Sequence, residues 1–186
     1  VYTVFFRYLL DMLQLVLSPK RGWEGIAVDD IPSHKLLTGG FIPLIIVDVL
    51  TCLMGYVFHD DTSTVAVIAS MISAVIMFLV PYFLASFFFS LYIPACTGGT
   101  MSMNKNHTFI IYSLSIMVVM DIIMHIVPMV PDVIFLLPIY VLFIMWRGLA
   151  YMEVKFDGVL SFLALNILTV LLPPFVFNYL FKLILN

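Results

Sequence analysis

The sequence predicts an all-α, polytopic membrane bundle: five transmembrane helices preceded by an amphipathic interfacial helix. Three observations lead there. Of the 186 residues, 63% are hydrophobic and only 10% are charged, and the mean hydropathy is +1.17. A soluble domain holds roughly 45–50% apolar and about 25% charged residues. The apolar residues gather into runs long enough to cross a bilayer, which takes about 20 residues of helix. The eight Lys and Arg residues are distributed unequally among the connections. The same composition excludes a disordered chain, and a net charge of −3 with scattered cations excludes a nucleic-acid binder. The partner implied is the lipid bilayer, with a second copy or other membrane proteins as further candidates.

Residues 1–18 form the first element. Thr3, Arg7, Asp11, Gln14 and Ser18 recur every three or four positions in an otherwise apolar segment, the pattern of a helix with one narrow polar stripe. Arg7 and Asp11 are spaced to pair at i, i+4. A spanning helix here would place both charges in hydrocarbon, at roughly 2.5–3.5 kcal/mol each near the centre, so the expectation is a helix lying in the interface. The first 17 residues show no basic segment followed by a small-residue cleavage site, so no secretory leader is expected.

Residues 19–35 read as a polar cytoplasmic connector. Pro19 ends the first helix, and Lys20, Arg21 and Trp23 suit the headgroup region. Residues 36–186 then form the transmembrane domain. Its apolar runs cover about Leu36–Phe58, Val65–Ile93, Thr108–Val127, Val133–Met152 and Val159–Leu185. Seven basic residues (Arg7, Lys20, Arg21, Lys35, Lys105, Arg147 and Lys155) fall on one side of this arrangement and only Lys182 on the other. The positive-inside rule then puts the N-terminus in the cytoplasm and the C-terminus outside. Pro43, Pro81, Pro138 and the pair Pro173–Pro174 should bend their helices toward neighbouring helices or a wet cavity. Ala66, Ser70 and Ala74, Ser86 and Ser90, and Gly55 with Asp48, Thr51 and Cys52 mark faces where helices approach closely.

The sequence carries no zinc-binding His-Glu-x-x-His, nucleophile elbow, P-loop or dinucleotide fingerprint. No catalytic residue, metal site or cofactor is expected, and the chain is not expected to be an enzyme. Two Thr-Gly-Gly stretches, 38–40 and 97–99, fit flexible joints at span ends. Cys52 and Cys96 have no partner at metal spacing. The aromatic crowd of Tyr82, Phe83, Phe87, Phe88, Phe89 and Tyr92 fits helix packing, lipid contact or a lipid-binding groove.

The candidate site rests on ionisable residues within the spans: Asp48, Asp121 and His125, with Arg147 near the end of the fourth run. Such groups are costly in hydrocarbon, so each is a functional candidate. Asp121 and His125 share a helix face at i, i+4 and are spaced to hydrogen-bond. One interpretation makes Asp48, Asp121 and His125 a proton or cation relay. The other has Asp48 bonding a neighbouring helix, His125 reaching headgroups and Arg147 extending to the cytoplasmic face.

A Pro-Lys-Arg-x-Trp segment before five spans resembles the YIP-domain family of small membrane proteins. Pro19, Arg21 and Trp23 carry the resemblance in the lead. Tyr112 and Pro128 carry it around the third span, and Tyr140 and Gly148 in the fourth. The resemblance implies a five-span, non-enzymatic protein of membrane organisation, trafficking or assembly. Leu91-Tyr92-Ile93-Pro94 only superficially echoes the Asp-Leu-Tyr-Gly-Pro motif of eukaryotic members. The implied location is therefore a bacterial inner membrane rather than a Rab-binding trafficking site. A small proton- or cation-coupled transporter or channel is the alternative, with a second copy supplying the half that a 186-residue chain lacks.

Overall fold

A computed structural model of the chain describes residues 2–54, 63–97, 99, 102–126 and 131–185. The side chains of 2, 3, 131–137, 182, 184 and 185 lie outside that description, as do Gly55 and Pro128. The fold is all-helical, 90% helix, with no strand among the described residues. In chain order the helices are α1 (Tyr2–Leu17), α2 (Pro19–Asp29), α3 (Ser33–Met54), α4 (Thr64–Thr97), α5 (Met103–Ile126), α6 (Pro131–Arg147) and α7 (Phe156–Phe181), with helical backbone continuing to Leu185. Four of these, α3, α4, α5 and α7, are long and apolar enough to cross a membrane. Their outward faces carry Ile46, Phe83, Phe87, Leu168 and Tyr179, all exposed. An apolar belt of that extent is stable against lipid and not against water.

α5 is the axis of the fold. It touches α1, α3, α4, α6 and the middle of α7, and every residue from Thr108 to Val118 is buried. A helix that is apolar all round is suited to this position, because each face meets another helix. The fourth apolar run ends sooner than the sequence suggested. α6 stops at Arg147, and residues 148–153 turn back with Glu153 at φ 50°.

Two helices owe their shape to their prolines. Leu37–Phe41 in α3 and Ile167–Leu171 in α7 are π-helical turns, and Pro43 and Pro173 follow two residues after their ends. A proline ring clashes with the carbonyl four residues earlier. Widening the preceding turn to i→i+5 removes the clash without breaking the helix.

The N-terminal region departs most from expectation. Residues 19–29 are a helix rather than a connector, with Pro19 in its first turn, where a missing N–H costs nothing. α1 and α2 fold back on each other at Ser18. At Gly22 a Cβ would lie 2.7 Å from the Leu15 backbone, so this hairpin needs a glycine. Thr38-Gly39-Gly40 is not a flexible joint: it lies within the π turn, and Gly40 packs directly on the Tyr8 ring. Arg7 does not pair with Asp11. It forms an ion pair with Asp29 of α2, while Asp11 accepts a hydrogen bond from Tyr112 at 3.0 Å. Two members of the polar stripe of α1 thus bond to other helices, while Arg7 and Gln14 stay exposed and the buried face of the helix is Tyr8, Met12 and Leu15. Its other flank, Phe6, Leu10, Leu13 and Leu17, is exposed and apolar.

Candidate functional site

The ionisable residues meet at one end of the bundle, where α3 and α5 run side by side. Asp48 lies in the last third of α3 and is completely buried. Asp121 and His125 lie one turn apart at the end of α5. Ligand atoms of all three fall within 4.8 Å of one another. The two helices pack closely because both are apolar around these positions, so burying the polar groups follows from helix packing rather than from any local polar motif.

His125 faces α3. Its Nδ1 lies 3.2 Å from Thr51 Oγ1 and 3.5 Å from Asp48 Oδ1. The Thr51 hydroxyl donates to the Asp48 carbonyl at 2.6 Å. Its single hydrogen is committed there, so Thr51 Oγ1 accepts from His125 Nδ1, and Nδ1 carries the proton. Cys52 also directs its thiol at the Asp48 carbonyl, 3.7 Å away. The Asp48 carboxylate oxygens receive no well-directed hydrogen bond among the described residues. At 3.5 Å the contact with His125 is an ion-pair distance rather than an aligned hydrogen bond. A fully buried carboxylate with this little support is stable only if it holds a proton or faces a cation.

On the other side of His125 is a cavity of about 250 Å³. Asp121 and His125 line it from α5, Ser70 and Ser73 from α4, and Asn178 from α7. Asp121 and Asn178 also border a smaller cavity of about 50 Å³ that reaches Pro138 of α6 and Pro174 of α7. Two of the expected proline bends therefore face the site. The arrangement offers two carboxylates and one imidazole as oxygen and nitrogen donors beside a space roomy enough for water. It can pass a proton from group to group or hold a small cation.

Arg147 does not belong to this site. It ends α6, exposed, with its guanidinium 5.1 Å from the Phe143 ring centroid and 5.3 Å from that of Trp146. Asp48 meets a neighbouring helix, as the structural alternative also expects, and the group it meets there is the ionisable side chain of His125. Ser73 and Asn178 escaped the sequence reasoning. A lone amide in the apolar stretch Leu172–Leu185 was the available signal for Asn178.

Of the positions carrying the family resemblance, Trp23, Tyr112 and Gly148 meet elsewhere in the bundle and the others do not join them. Trp23 is buried, not at a headgroup surface. It stacks on Phe109 (centroids 5.0 Å apart) and on Tyr151 (5.2 Å), meets Tyr112 edge-on, and donates from Nε1 to the Ile144 carbonyl at 2.9 Å. Gly148 closes this cluster, since a Cβ there would lie 2.6 Å from the Phe109 ring. Tyr112 sits in the middle of α5 rather than at its start. Tyr140 donates to the Val16 carbonyl at 2.5 Å, and Pro19 starts α2. Arg21 is exposed. No family model, curated protein or solved structure matches the chain.

Proposed function

We propose that this protein is a small proton- or cation-coupled membrane transporter in which Asp48, Asp121 and His125 carry the coupling ion. One observation supports this above the rest: three ionisable side chains from two apolar helices meet beside a polar cavity. Dispersed polar groups in a bundle serve packing. Convergent ones, each costly to bury, fit an ion pathway.

In this proposal α6 is a fifth crossing. Its 17 residues rise about 25 Å, somewhat less than the hydrocarbon core of about 30 Å, a mismatch that local thinning of the bilayer accommodates. The N-terminus and the Lys105 and Lys155 connections face the cytoplasm, the ionisable site lies toward the outer side, and a homodimer supplies the second half of the transport unit.

The test is flux in proteoliposomes holding a pH-sensitive dye, under an imposed pH gradient and with Na⁺, K⁺ or Mn²⁺ outside. The wild type should move protons or one of these cations, and Asp48→Asn and Asp121→Asn should abolish the movement while eluting as intact protein. A folded double variant with full flux would overturn the proposal. So would a silent wild type, the outcome required by the membrane-organising role that the YIP-type resemblance implies.

A further inference from the structure

A second cavity, independent of the ionisable site, lies between α4 and α7. It is a groove of about 820 Å³, walled by Leu84, Phe88 and Tyr92 on one side and by Ala164, Leu165 and Leu168 on the other. Lys155 and Asp157 line the end where α7 begins. The two walls run over residues 84–96 and 157–169, twelve residue steps from end to end in each, so the groove extends about 18 Å at 1.5 Å per residue. This is close to the depth of one leaflet, half of a core of about 30 Å.

The charges are placed at one end only. Lys155 and Asp157 are both exposed, and neither forms an ion pair among the described residues. The adjacent Glu153 is engaged by Lys105. One end of the groove therefore presents a single cation beside a single anion, while the rest is aromatic and aliphatic. The backbone at this end is fixed, because the Lys155 N–H donates to the Cys96 carbonyl at 3.1 Å and Gly158 packs against Cys96.

We infer that the groove holds one phospholipid with a zwitterionic, primary-amine headgroup, phosphatidylethanolamine in class. The lipid phosphate meets Lys155, the ammonium donates hydrogen bonds to the Asp157 carboxylate, and an acyl chain lies along Phe88, Tyr92 and Leu165. Charge complementarity selects this occupant. An anionic headgroup would satisfy Lys155 and be repelled by Asp157. A choline headgroup carries no N–H to donate to the carboxylate.

The experiment is native mass spectrometry of the full chain released from micelles holding equal amounts of phosphatidylethanolamine, phosphatidylcholine and phosphatidylglycerol. The wild type should retain one phosphatidylethanolamine at least fivefold over either competitor. Asp157→Asn, an exposed substitution that leaves the fold intact, should equalise phosphatidylethanolamine and phosphatidylcholine. Ala164→Trp, which fills the groove, should remove retention of all three at unchanged elution volume. Equal retention of the three lipids by the wild type overturns the inference, as does a phosphatidylglycerol preference or a wild-type lipid pattern in Asp157→Asn.

Discussion

Two stretches of α5 lie in different surroundings. From Phe109 to Val118 the helix is enclosed, and the ring residues around it have their polar atoms paired. Trp23 Nε1 reaches Ile144 O, Tyr8 OH meets Ser115 Oγ, and Tyr112 OH meets Asp11. From Asp121 to His125 the helix is half-buried, faces a cavity, and adjoins a carboxylate with no well-directed partner. In the aromatic half the ring residues have their polar atoms paired and the buried atom left over, Ser113 Oγ, is an uncharged hydroxyl, so this half carries stability. The ionisable half retains buried groups whose charge must be compensated, and that makes it the half able to respond to a proton or an ion. Substitutions should separate the two halves cleanly.

The largest effect on stability is expected from Trp23→Ala. It removes the ring between Phe109 and Tyr151 and one of the two donors to the Ile144 carbonyl, which keeps only the Gly148 N–H, and a buried Trp→Ala change costs about 3–5 kcal/mol. Thermal unfolding in detergent should show a large loss, and any protein that still folds should keep an intact Asp48–His125 contact. Asp48→Asn should do the reverse. It removes a buried charge with little support, so unfolding should be unchanged or shifted upward while proteoliposome flux disappears. If Asp48→Asn instead unfolds the protein as severely as Trp23→Ala, the ionisable half is structural and the contrast fails.

Gly148→Ala should have an intermediate effect. The added Cβ would sit 2.6 Å from Phe109 and 3.1 Å from both Met145 O and the Trp23 ring. Overpacking of this kind costs about 1–3 kcal/mol, measurable as reduced thermal stability with flux retained in the folded fraction.

The sequence made these regions legible to different extents, for physical reasons. The spanning helices follow from length and the scarcity of charge, and α3, α4, α5 and α7 differ from the apolar runs by a few residues at their ends. Asp121 and His125 share a face by spacing alone. Their meeting with Asp48 depends on which face of α3 turns toward α5, and neither sequence periodicity nor composition encodes that. Trp23 was ambiguous in principle, because a large ring with one N–H suits a headgroup layer and a buried carbonyl equally well. The partner of Arg7 was hidden for a similar reason: the i, i+4 spacing to Asp11 was satisfied, but the α1–α2 hairpin, made possible by Gly22, brought Asp29 closer. The π turns are legible only in hindsight, through the prolines that follow them.

The smallest expected effect is a pH dependence at Asp11, which joins α1 to the aromatic half of α5. Burial raises the Asp11 carboxyl above its ordinary value of 3.8. The Tyr112 hydrogen bond opposes that rise, Asp29 adds to it and Arg7 opposes it. A folded-state pKa above the unfolded value means that the folded state binds the proton more tightly. Its contribution to stability is then greatest below the unfolded pKa, and is lost as pH rises through the folded value. Docking of α1 should accordingly weaken from about pH 4 upward through the upper carboxylate range, then level off. Asp11→Asn keeps an acceptor for Tyr112 and removes the charge, so it should be slightly more stable than the wild type at neutral pH. The difference between the two proteins should close toward acid. Intrinsic Trp fluorescence unfolding across pH 4–8 measures this difference directly, because Trp23 lies in the same cluster as Tyr112. Parallel curves for the two proteins would mean that Asp11 is solvated in the folded state, and that α1 is held without it, by Tyr8 and Leu15 packing and the Arg7–Asp29 pair.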